Sequence, residues 1–118
     1  MDTLQFRLDI LNKSGIITDK ERVVLEKWID IIMEFSKDFD SVKLERMITH
    51  CAMMMKRKRE NEDIGRLPDE MFQTIREHQN YNDCVELFNK MNELYQVNSE
   101  EERYLILHLC SLFEKELK

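Results

Sequence analysis

Only two glycines and one proline interrupt the 118 residues, which leaves too few breakers for a turn-rich sheet and favours long helices. Long hydrophobic runs are also missing. The uncharged apolar stretches span only a few residues, so no membrane span is expected, and Met-Asp-Thr-Leu-Gln-Phe-Arg at the start has neither the basic head nor the apolar core of a secretory signal. Positive charge is in deficit, with a formal net charge of −6, which disfavours direct nucleic-acid binding because that needs a basic stripe against phosphates. Cysteine pairs are lacking too: Cys51, Cys84 and Cys110 are odd in number, form no C-x-x-C motif and fall within apolar helical patterns. They are expected to be reduced core thiols, as in a cytoplasmic protein.

What remains is a chain that is 42% hydrophobic and 36% charged, the balance of one globular domain with a heavily charged exterior. Leu4, Leu8 and Leu11 recur at helical spacing before Ser14-Gly15, a left-handed stop signal. Thr18 and Glu21 have the spacing of a capping box, followed by a stripe of Val24, Trp28, Ile31, Ile32 and Phe35, which Phe39 continues. Asp40-Ser41 restarts the chain into a helix with Leu44, Met47, Ile48, Cys51 and Met55 inside, ending in Lys56-Arg57-Lys58-Arg59. A loop is expected from Asn61 to Leu67. Pro68 then opens a short helix bearing Met71, Phe72 and Ile75. Cys84, Leu87, Phe88, Met91, Leu94 and Tyr95 define the next stripe, and Asn98-Ser99 with Glu102 reads as a second capping box before Leu105, Leu109 and Leu112. The expected architecture is all-α: a short N-terminal helical extension over residues 1–17 and a five-helix bundle over 18–118.

Two histidines stand out. His50 lies about 100° from the centre of its helix's apolar face, and Arg57 follows it by seven residues on the same shoulder. His108 lies about 60° from the Leu105–Leu109–Leu112 centre, and Glu101 precedes it by seven. A carboxylate aligned with an apolar stripe calls for a partner. His108 is roughly 10 Å away along the helix, so a group on a neighbouring helix is needed. If the two helices pack antiparallel with the imidazoles facing, the same register sets Arg57 against Glu101. A neutral imidazole is nucleophilic near pH 7, and a phosphoryl group on it needs a guanidinium nearby.

The run Thr49-His50-Cys51-Ala52-Met53-Met54-Met55-Lys56-Arg57 resembles the first signature of the PTS regulation domain (PRD) family, where a histidine opens a helical apolar run and an arginine follows seven residues on. The run Glu100-Glu101-Glu102-Arg103-Tyr104-Leu105-Ile106-Leu107-His108-Leu109 resembles the second, an acidic pair followed by Tyr-Ile-Ala-Leu-His-Leu. The likeness extends over residues 19 to 117, with Leu67-Pro68 and the stripe from Cys84 to Tyr95 resembling the segments between the signatures. It implies a five-helix bundle of the kind found in bacterial transcriptional antiterminators and activators. His50 and His108 would be phosphorylation sites, with Arg57 and Glu101 as supporting groups. It further implies a phosphocarrier or permease component of the sugar phosphotransferase system as donor, a homodimer whose packing responds, and a transcription regulator as partner. Thr49 stands where many members have Asp, and Ile106 where the usual residue is Ala.

Other readings of these residues are weaker. His50 beside Cys51, and His108 two before Cys110, diverge around the helix and suit neither a metal site nor a Cys–His catalytic pair, so no cofactor, metal or enzymatic activity is expected. The basic run from Lys56 to Arg59, Arg57 apart, fits a solvated helix end, the Met53-Met54-Met55 run fits core and interface filling, and His78 fits an isolated surface residue. The alternative to the phosphorylation reading is a helical protein-interaction or dimerisation module that carries no phosphate.

Overall fold

The computed structural model describes residues 3–35, 39–62, 65 and 67–113; part of the expected loop from Asn61 to Leu67 lies outside them. Six helices follow one another: α1 Thr3–Lys13, α2 Asp19–Phe35, α3 Ser41–Arg59, α4 Asp69–Arg76, α5 Tyr81–Leu94 and α6 Ser99–Leu112. No strand occurs among the described residues. The protein is an all-α bundle of five helices preceded by a short N-terminal one.

Local signals set most of the boundaries. At the end of α1, Gly15 takes φ +85°, and the amides of Gly15 and Ile16 return to the carbonyls of Asn12 and Leu11 at 3.1 and 3.0 Å, a Schellman closure that a side chain at that φ would strain. The Thr18–Glu21 capping box is made in both directions, at 2.9 and 3.1 Å. Asp40 caps α3 by accepting from the amides of Val42 and Lys43. The second expected box is absent: the Asn98 side chain makes no capping bond at α6, where the Asn98 carbonyl accepts from the Glu101 and Glu102 amides instead.

Helices α2, α5, α6 and α3 contact one another in a closed ring, α1 covers the α2–α3 edge and α4 packs against α6. The ring encloses Leu25, Trp28, Ile32, Met47, Ile48, Met55, Cys84, Met91, Leu109 and Leu112 at full burial, with Leu4, Leu8 and Leu11 of α1 joining the same core. Trp28 is wholly enclosed because its one polar atom is satisfied: Nε1–H donates to the Met91 carbonyl at 2.8 Å, tying α2 to α5. The apolar stripe of α2 is rotated from the expected one. Leu25 and Ile29 fill the core, Val24 and Ile31 are half-buried, and Phe35 is exposed at the helix end beside Phe113. Met71 of the short helix and Leu94 of the α5 stripe are exposed, and α4 buries only Phe72 and Ile75.

The C-terminal basic run of α3 departs most from expectation. All four cations have partners: Lys56 with Glu60, Arg57 with Glu101, Lys58 with the Gln96 carbonyl and the Tyr95 ring, and Arg59 with Glu21 and the Ile16 carbonyl. The run ties three parts of the fold together at one end of the bundle. Burial opposes the charge on Glu21, yet the Arg59 guanidinium and the Thr18 amide hold its carboxyl below the ordinary value. His78 is likewise no isolated surface residue: it is half-buried, and its Nδ1 accepts from the Asn80 amide at 3.1 Å in the turn between α4 and α5.

Candidate functional site

Helices α3 and α6 run antiparallel, and the paired residues keep one register. Arg57 in the last turn of α3 meets Glu101 in the first turn of α6, and seven residues back along α3 His50 meets His108. The local sequence explains why the ends meet favourably. A cation at a helix C-terminus and a carboxylate at a helix N-terminus each face the complementary end of their own helix dipole.

The two imidazole rings stack, with centroids 4.7 Å apart and planes inclined by only 17°. The Arg57–Glu101 pair is bidentate, with Nε–H to Oε2 at 3.0 Å and Nη2–H to Oε1 at 2.6 Å. Glu101 is 3% exposed, so the guanidinium is what makes its burial tolerable. The contact expected from the heptad spacing is therefore present. Arg57 retains partial exposure and lines, with both histidines, Met54, Tyr104 and Leu107, a cleft of about 360 Å³ along the α3–α6 seam.

The two imidazoles differ in environment. His50 is exposed, beyond the shoulder position that its spacing predicts, whereas His108 is half-buried. Burial, and next the proximity of His50, pushes His108 from 6.5 down to about 4, so its ring is neutral with a free nitrogen lone pair at pH 7. The neighbouring thiols are held in the opposite condition. Burial and then the Glu101 charge raise Cys51 to about 12, and a hydrogen bond with Cys110 together with burial raises Cys84. These thiols stay protonated and unreactive. Among the described residues no cluster of three or more His, Cys, Asp or Glu is placed to hold a metal ion.

Thr49, which replaces the Asp of the resembled signature, faces the other way. Its Oγ1 accepts from Arg7 Nη1 at 2.8 Å and donates to the Glu45 carbonyl at 3.2 Å, so it serves the α1–α3 contact and not the His50 ring. Ile106 is buried in the core. Two site neighbours had no site role assigned from the sequence. Tyr104 lines the cleft between Glu101 and His108, three and four residues from them on one helix face. Lys43 donates from Nζ to the Ser111 carbonyl at 3.1 Å at the far end of the seam. The repeat Lys43–His50–Arg57 at intervals of seven was the available signal for Lys43.

Fold and site together define an all-α bundle with a paired-imidazole cleft beside a buried ion pair. The family model described as PRD domain matches residues 27–112, and the chain belongs to that family, a regulatory domain of the phosphotransferase system. No curated protein and no solved structure matches the chain. No helix among the described residues is long and apolar enough to cross a membrane.

Proposed function

We propose that the chain is a phosphorylation-responsive regulatory domain that receives phosphoryl groups at the His50–His108 pair from a phosphocarrier or permease component of the sugar phosphotransferase system. The observation that carries this reading is the stacked pair of imidazoles in one cleft with the Arg57–Glu101 ion pair. A neutral imidazole attacks the donor's phosphorus through its free nitrogen. The new group adds roughly −1.5 to −2 charges, if it behaves as on other side chains, and draws on the guanidinium that neutralises Glu101. Arg57 is the residue placed to respond. Side chains on a helix lean toward its N-terminus, so Arg57 leans toward His50, while Lys43 leans away from it.

Loss of Arg57 from Glu101 leaves a carboxylate buried without its partner, and the α3–α6 seam must then open or repack. A coupling of about 1–3 kcal/mol suffices to change an assembly equilibrium several-fold or more. In this reading the protein is a cytoplasmic, non-enzymatic homodimer that acts on a transcription regulator through protein contacts. Incubation with phosphoenolpyruvate and the general phosphotransferase proteins tests it. Acid-labile label on His50 or His108 is expected, and its absence from both removes the reading.

One feature favours a second reading, an interaction module without phosphate. Phe6 and Ile10, one turn apart on α1, are 55% and 51% exposed. That reading predicts that His50→Ala and His108→Ala leave oligomeric state and partner binding unchanged.

A further inference from the structure

We infer that the cleft accepts a single phosphoryl group, carried by His50, and that His108 is a positioning residue whose ring holds His50 in place from behind. The inference rests on the phosphorylation reading above and narrows it. Three observations carry it.

The first is access. His50 is exposed and His108 half-buried, and a donor protein must bring its own phosphorylated side chain into line with the accepting nitrogen. His50 is the ring such a donor meets first. The second is charge. The rings are 4.7 Å apart, so two phosphoryl groups would crowd about three to four negative charges into one cleft. The guanidinium lining that cleft already spends Nε and Nη2 on Glu101. Among the described residues, the lining holds no second lysine or arginine to neutralise a second group. The third is orientation. Phosphoryl transfer needs the attacking and leaving atoms roughly in line through phosphorus. Near-parallel stacked rings present faces to each other, while their nitrogen lone pairs lie in the ring planes, so the geometry does not pass the group from His50 to His108.

The step balances without a further reactant. The lone pair of the unprotonated His50 nitrogen forms the new N–P bond. The N–P or S–P bond of the donor's phosphohistidine or phosphocysteine breaks, and its electron pair returns to the donor nitrogen or sulfur. His108 contributes a flat, uncharged face. Its depressed pKa is in keeping with this, since a cationic ring behind His50 would make His50 a poorer nucleophile.

The experiment uses the full chain with phosphoenolpyruvate and the general phosphotransferase proteins, with intact mass for stoichiometry and tandem mass spectrometry for the site. The native protein is expected to gain one phosphoryl increment, on His50. His50→Gln is expected to gain none on His108. His108→Ala is expected to slow labelling of His50 about two- to tenfold, the range of one aromatic contact, and His108→Phe to restore the rate because it keeps a flat ring. Folding of each variant is followed by the emission of Trp28, the single tryptophan. A doubly phosphorylated chain, a phosphoryl group on His108, or equal rates for the two His108 variants would overturn the inference while leaving the domain a phosphoacceptor. No label on either histidine of the native protein would overturn the parent reading itself.

Discussion

Removing Arg57 is the most informative single perturbation of this fold. Glu101 is 3% exposed, and both its oxygens are bound by one guanidinium. Arg57→Met keeps the apolar stem and deletes the charge, leaving a carboxylate buried without its partner. Breaking a buried pair from that side costs about 3–5 kcal/mol. Glu101→Gln should cost less, about 1–2 kcal/mol, because Arg57 keeps 23% side-chain exposure and can turn to water. The double variant Arg57→Met with Glu101→Leu removes both charges and should return to within about 1 kcal/mol of the native protein, since an apolar pair of similar volume replaces a desolvated one. Urea unfolding followed by Trp28 emission measures all three. At about 3–4 °C per kcal/mol for a domain of this size, Arg57→Met should also lower Tm by about 10 °C or more. A cost below about 1 kcal/mol for Arg57→Met, or a double variant as unstable as Arg57→Met alone, would refute the dependence of buried Glu101 on this guanidinium.

Acid should weaken the fold through His108. Its pKa is about 4 when folded and near 6.5 when unfolded, so the unfolded chain takes up the proton first. The contribution is complete above about pH 6.5 and is lost as pH falls toward 4, by about 2–3 kcal/mol after allowance for partial exposure. The stability difference between native protein and His108→Phe across that window isolates it, and a difference independent of pH would refute it. Asp40→Ala removes two capping bonds at α3 and should cost about 1 kcal/mol by denaturant unfolding. Leu8→Ala should cost about 2–5 kcal/mol in the same assay, because Leu8 is fully buried in the shared core; a value near zero would mean α1 packs independently of the bundle.

Local grammar carried much of this structure into view. Ser14-Gly15, Thr18 with Glu21, and Asp40 each end or begin a helix through atoms within a few residues, so short spacings suffice to read them. The His50–Arg57 and Glu101–His108 intervals were legible because a repeat of seven keeps side chains on one helix face, and an antiparallel neighbour with the same repeat then aligns them. Other contacts carried no such signature. Arg59 reaches Glu21, and Arg7 reaches Thr49 and Glu45, through long flexible side chains across 38 to 42 residues of sequence. The misplaced stripe of α2 has another cause. Val24, Leu25, Trp28, Ile29, Ile31 and Ile32 spread apolar residues over about 160° of the wheel, wider than one buried stripe, and the positions of α1, α3 and α5 select which of them are enclosed. Leu94 fits the apolar spacing of α5, yet it lies in the helix's last turn and is exposed, as is Met71 in the first turn of α4.

The matched sevenfold repeats on α3 and α6 also restrict how the domain can move. Displacing one helix by two turns against the other would set His50 opposite Glu101 and carry Arg57 past the first residue of α6, so intermediate alignments forfeit the guanidinium that partners this sequestered carboxylate. Gradual slippage is thereby suppressed. Under the proposed phosphorylation reading, such a domain would transmit by parting and re-closing one seam, with two discrete settings instead of a continuous dial.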